Sequence, residues 1–189
     1  MAKIDNNMFL DGVRGNIAKQ VVYRKQGNKT VVSRMPRRNE NLAPTEGQRQ
    51  QRFNFADASG YAQAMLADAE MKALYTAKKE PGQTVRGLMV GDFLKPPVVH
   101  EIITKDYKGV AGDPIGIRAY DDFRVVAVAV SIYSAGGDLI EEGQAILNPR
   151  NHSTWLYLTT VANADLAGTI IRVTASDFPG NPGVLEITI

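Results

Sequence analysis

Three observations predict a mainly β chain with a helical segment, an α+β arrangement. Two β-rich runs within the first 44 residues flank a Gln-Gly-Asn turn. A capping-box signature at Thr45 opens a stretch with helical spacing. Seven short extended segments, separated by turn residues, then fill residues 95–189.

The composition bounds the function before any motif is read. A 189-residue chain with 44% hydrophobic and 22% charged residues is an ordinary globular protein, not a disordered one. No uncharged apolar run approaches the ~20 residues of a membrane span. Cysteine is absent, which excludes disulfides, thiolate nucleophiles and cysteine metal sites. The two histidines, His100 and His152, lie far apart without a shared carboxylate pattern, so neither a catalytic nor a zinc role is expected. Phosphate-binding, dinucleotide, zinc-protease and serine-hydrolase motifs are all missing. No enzymatic activity and no cofactor are expected. The first residues, Met-Ala-Lys-Ile-Asp-Asn-Asn, lack an apolar signal core, so no standard secretory signal is read. Synthesis is expected in the cytoplasm, with a particle or an extracellular filament reached by a non-standard route as a possible end point.

The arm, residues 1–44, comes first. The runs Asn16–Lys25 and Lys29–Met35 are rich in valine and flank Gln26-Gly27-Asn28, residues suited to positive φ, which predicts a β-hairpin. A lone hairpin buries too little to be stable in water, so this one must dock on something. Residues 1–52 carry 11 Lys/Arg against Asp5, Asp11, Glu40 and Glu46, a net of +7. The remainder carries 11 against 16, a net of −5. A basic arm on an acidic body binds either a polyanion or the acidic body of another copy.

The middle, residues 45–94, reads as helical. Thr45 and Gln48 form the capping box after Pro44. The first helix carries Arg49, Arg52, Phe53 and Ala56 and is expected to end near Gly60. A second stretch runs from Tyr61, and Asp68 starts a further turn with Met71, Leu74 and Tyr75. Glu80-Pro81-Gly82 ends it. Thr84 to Leu94 reads as a short helix with Val85, Leu88, Met89 and Phe93 on one stripe, and Pro96-Pro97 forces an extended exit.

The last part, residues 95–189, holds extended segments near 98–104, 114–120, 124–134, 138–147, 153–161, 168–176 and 183–189. Alternation sets Ile115, Ile117 and Ala119 against Arg118 and Tyr120, and Ile171, Val173 and Ala175 against Arg172 and Thr174. Leu185, Ile187 and Ile189 oppose Glu186 and Thr188. Seven strands at this spacing predict an immunoglobulin-like β-sandwich, with Trp155 and Tyr157 as large core aromatics. Residues 125–133 are apolar on both faces, Val126, Val128, Val130 and Ile132 inward, and so require cover on both.

Particular stretches resemble known families. Ile170-Ile-Arg-Val-Thr-Ala-Ser-Asp-Phe-Pro-Gly-Asn181, Gly136–Gly143 and Asp121-Asp122-Phe123 are similar to bacterial immunoglobulin-like domains. Val21-Val-Tyr-Arg24, Arg34-Met-Pro-Arg-Arg38, Pro44-Thr-Glu-x-Gln-x-x-Gln-Arg-Phe53, Ala73-Leu-Tyr75 and Gly91-Asp-Phe-Leu94 carry a resemblance to an uncharacterised protein family common in Bacteroidota. The resemblance spans nearly the whole chain and implies no activity. By analogy, it makes the arm a reusable docking element.

The function expected from these features is a non-enzymatic structural subunit that assembles head-to-tail with itself into a filament, tube or phage-like particle. Its assembly arm comprises Val21, Val22, Tyr23, Arg24, Val31, Val32, Arg34, Arg37 and Arg38, and the acidic acceptor surface Asp138, Glu141 and Glu142. Strand addition or sheet packing would hold the arm on a neighbour. The alternatives are nucleic-acid association through the same arginines, and an adhesion or glycan-binding module using Trp155, Tyr133 or Tyr157. No metal is expected. Asp121, Asp122, Asp177 and Asn181, on loops between strands, are the oxygen ligands that a Ca²⁺ would use.

Overall fold

The computed structural model describes residues 2–4, 10, 12–26, 29–36, 43–149, 151 and 153–189. Arg37, Arg38, His152 and the Gly27-Asn28 turn lie outside the described residues. The chain divides into two compact units, Met1–Leu88 and Met89–Ile189, and the architecture is mainly β with a helical segment.

In the first unit four short strands make one antiparallel sheet: β1 (Ala2–Ile4), β2 (Gly15–Ile17), β3 (Val21–Gln26) and β4 (Lys29–Arg34), in the order β1-β4-β3-β2. The expected hairpin is β3–β4, with Gln26 opposite Lys29. It is not a lone hairpin, because β1 pairs with β4 and β2 with β3. The run Asn16–Lys25 is broken where the Gln20 amide donates to the Ile17 carbonyl at 2.9 Å. Ala18 and Lys19 turn the chain there at φ 51° and 54°, a left-handed pair without glycine.

Helix α1 (Glu46–Ala67) starts on the capping box: the Gln48 amide donates to Thr45 Oγ1 at 3.3 Å, and the Thr45 amide donates to Gln48 Oε1 at 3.2 Å. It runs through Gly60 rather than ending there, since Ala58 and Ala62 are buried to either side and packing outweighs the glycine's propensity cost of ~1 kcal/mol. Asp68 caps α2 (Ala69–Lys78), its Oδ1 accepting from the amides of Glu70 and Met71. The two helices meet at the Tyr61 and Tyr75 hydroxyls, 2.9 Å apart, with Tyr75 fully buried. Helix α3 (Val85–Leu94) contains the boundary between the units.

The second unit holds, among its described residues, eight strands in two four-stranded sheets. One has the order β5-β6-β10-β9: β5 (Val98–Ile103), β6 (Pro114–Tyr120), β9 (Ile146–Leu147) and β10 (Thr154–Leu158). The other has the order β12-β11-β7-β8: β7 (Val125–Tyr133), β8 (Leu139–Gln144), β11 (Ile170–Asp177) and β12 (Pro182–Thr188). Both sheets feed one core, with Ile115, Ile117, Trp155 and Tyr157 from the first and Val128, Val130, Ile132, Ile171 and Val173 from the second. The segment 138–147 divides because the chain changes sheets at buried Ala145, whose amide donates to the Val128 carbonyl at 2.8 Å. A second difference lies in β7. Its register against β11 shifts at Ser176/Asp177, so Val125 rather than Val126 packs on the core and Val126 is 47% exposed. An extra residue in one strand flips every side chain beyond it.

Candidate functional site

The arm residues form a surface rather than a cleft. Register places Ile17, Val21, Tyr23 and Val32 on one face of the sheet, with Lys25 and Arg34 at its margin. Val22, Arg24 and Val31 occupy the other face. Ile17 is 57% exposed, and among the described residues of the arm only Thr30 and Val31 are buried. Arg24, Lys25, Lys29 and Arg34 are exposed.

The acidic acceptor set does not stay together. Asp138 and Glu142 are exposed, but Glu141 is buried and faces inward opposite Ile132. Its regular pairing opposite inward-facing Ile132 turns it in, and the shift beyond it, at Ile132/Tyr133, displaces Leu139 instead. Its Oε2 accepts from the amides of Thr160 (2.7 Å) and Val161 (3.2 Å) and from the hydroxyls of Thr160 (2.8 Å) and Tyr157 (3.2 Å). This carboxylate ties β8 to the turn after β10 and is a correction to its reading as surface. Burial, then the Glu141 charge and their hydrogen bond, push the Tyr157 phenol up to about 12.

The turn residues Asp121, Asp122, Asp177 and Asn181 are brought to one end of the second unit, where the rings of Phe123 and Phe178 meet edge-on with centroids 6.2 Å apart. Their oxygens serve the turns themselves. Asp121 Oδ2 accepts from the amides of Phe123 and Arg124, both at 2.8 Å, and Asp177 Oδ1 from those of Gly180 (2.8 Å) and Asn181 (2.6 Å). Asp122 pairs with Lys95 at 2.6 Å. Among the described residues, no group of three or more Asp, Glu or His side chains is gathered to hold a metal ion.

Of the aromatics considered for glycans, Trp155 and Tyr157 are buried in the core. Tyr133 lies beneath the Arg172 guanidinium, 5.2 Å from its ring centroid, and Arg172 also pairs with Glu186. That arginine gives the second apolar face of β7 part of its cover, with Ala127 and Ala129 half-buried.

Sequence reasoning missed the outer face of the β5-β6-β10-β9 sheet. His100, Glu101, Arg118 and Tyr120 line an open depression of about 560 Å³ there. Arg118 pairs with Glu101 at 3.2 Å, and the His100 ring meets that of Tyr120 edge-on at 5.2 Å. Beside it lie exposed Ile146, Leu156 and Leu158. Alternation around Trp155 and Tyr157 was the available signal, since it puts Leu156 and Leu158 outward.

No family model and no curated protein matches the chain. Weakly similar solved structures include CopC from Methylosinus trichosporium OB3b, 13% identical, covering 48% of this chain and 87% of that one at a TM-score of 0.35. An engineered protein is 16% identical, covering 58% of this chain and 29% of that one at a TM-score of 0.32. Likenesses this weak carry no argument about the chain. Among the described residues no helix is long and apolar enough to cross a membrane.

Proposed function

We propose that the chain is a non-enzymatic structural subunit that assembles head-to-tail, its N-terminal arm docking on a neighbouring copy. The observation that carries this reading is the apolar face of the arm sheet, on which Ile17 is 57% exposed and Val21, Tyr23 and Val32 are half-buried. A small sheet is stable only when such a face packs against another layer. The net +7 of residues 1–52 against the net −5 of the remainder favours another copy as that layer. A head-to-tail contact yields a ring if the rotation closes and a fibre if it does not.

The two sheets of the second unit are read as immunoglobulin-like. Lettering β5 to β12 in chain order as A, B, C, C′, D, E, F and G turns the two sheets into A-B-E-D and G-F-C-C′, the arrangement of that fold with one strand added beyond seven. Kinship with the Bacteroidota family is proposed on the segments 21–24, 34–38, 44–53, 73–75 and 91–94.

The test is light scattering on nuclease-treated full-length protein and its Ile17→Glu variant. The proposal requires large species for the parent chain and their loss in the variant. Association that disappears with nuclease in the parent chain supports phosphate binding by the arm instead, and assembly unchanged by the substitution contradicts arm docking.

A further inference from the structure

The arm leaves open what it docks against, and beside the exposed acidic pair Asp138 and Glu142 a single exposed apolar side chain, Leu139, is all that stands to match Ile17, Val21, Tyr23 and Val32. The outer face of the β5-β6-β10-β9 sheet does. Register sets an apolar row across all four strands: Ile146 opposite Leu156, Leu156 opposite Gly116, and Gly116 opposite Ile103. The next row adds Leu158 opposite Pro114. Ile146 is 74% exposed, Leu158 52% and Leu156 43%. Single exposed apolar side chains are common, but a contiguous row spanning a sheet marks an interaction surface. The inward neighbours Ile115, Ile117, Trp155 and Tyr157 already fill the core, so folding gives no reason for the outward row.

We propose that this face receives the arm sheet of a second copy, sheet on sheet. The inference rests on the head-to-tail reading above and names its acceptor. Two observations select this occupant. Arm and acceptor are each four strands wide, about 14 Å at ~4.8 Å per strand spacing, so their apolar faces can pack in register at ~10 Å as sandwiched sheets do. Charge also discriminates between the two ways of covering the face. Pairing it with itself brings together two bodies of net −5, whereas the arm brings +7. At the border of the row, the depression holds the Arg118–Glu101 pair and the Tyr120 ring, which offers an aromatic surface. That ring suits Lys25 or Arg34 at the margin of the arm's apolar face.

A complementation experiment tests the assignment. Two full-length, nuclease-treated proteins are used, one with the face substitutions Ile146→Glu and Leu156→Glu, the other with the arm substitutions Ile17→Glu and Tyr23→Glu. Ile146→Glu alone serves as a milder face variant, and circular dichroism with thermal melting verifies that each protein is folded. By sedimentation velocity, each variant alone is expected at the 20.6 kDa chain mass. An equimolar mixture, which still joins one intact arm to one intact face, is expected at twice that mass. Ile146→Glu alone is expected to weaken assembly at least tenfold. If the folded face variants assemble as the parent chain does, the acceptor is overturned while arm docking stands. If both variants are monomeric and the mixture stays monomeric, arm-on-face docking is overturned; an arm variant that still dimerises while the face variant does not overturns it in favour of face-to-face pairing. If the arm variant assembles unchanged, or the parent chain itself never exceeds 20.6 kDa, the head-to-tail reading falls and the acceptor with it.

Discussion

Glu141 illustrates how a single carboxylate changes role with register. With four donors on Oε2 it is a structural tie, and its removal leaves the Thr160 and Val161 amides and the Tyr157 hydroxyl without their acceptor. Glu141→Ala is expected to lower unfolding stability by about 3 kcal/mol, against less than ~0.5 kcal/mol for exposed Glu142→Ala, as read by urea denaturation. Tyr157 supplies a pH signature. Its phenol is raised in the folded state from the ordinary value of 10.0 to about 12, so its contribution to stability is complete below pH 10 and is lost as pH rises towards 12. Melting temperature across that window should fall less in Tyr157→Phe than in the parent chain. In the arm, Lys19→Gly relieves one left-handed residue worth ~1 kcal/mol, so hydrogen exchange at β3 amides should slow about fivefold.

The strands show which elements a sequence declares and which the tertiary structure decides. Segments 114–120 and 168–176 were legible because Ile115, Ile117 and Ala119, and Ile171, Val173 and Ala175, alternate with polar residues, and these apolar residues are indeed buried. The capping box at Thr45 and the cap at Asp68 were legible because they are local chemistry. The division of 138–147 into β8 and β9 was not, since the chain crosses between the sheets just beyond Ala145, which is still bonded to Val128 of the first. The exposure of Val126 follows from a register shift that no periodicity reports, and the inward turn of Glu141 from its pairing opposite Ile132. Of the candidate site, the arm's hairpin was legible, while its apolar face and the outer row of Ile146 and Leu156 emerge only once the strands are paired.

Glycines separate these element-level causes experimentally. A Cβ at Gly183 falls 1.8 Å from the Pro97 carbonyl oxygen, and one at Gly60 meets nothing within 4 Å. Gly183→Ala is therefore expected to destabilise by at least ~2 kcal/mol through backbone displacement. Gly60→Ala should stabilise α1 by up to ~1 kcal/mol. Paired thermal melts read both signs at once.

At the scale of the whole molecule, a basic arm with a partly exposed apolar face belongs to the same chain as an acidic unit with an exposed apolar row on one sheet. On the proposed docking, donor and acceptor lie on one chain and association would be self-propagating, because each docking event would leave a free arm at one end and a free face at the other. Such association grows with concentration. An apolar contact rimmed by charge is weakened but not abolished by salt, since screening acts on the rim and not on the buried row. Phosphate binding through the same arm depends on salt far more steeply.

The most direct test is the mass of the nuclease-treated parent chain by light scattering over a concentration series, at low and at high salt. Head-to-tail assembly requires masses that rise with concentration through multiples of 20.6 kDa, with smaller species at high salt. A mass fixed at 20.6 kDa throughout would contradict it.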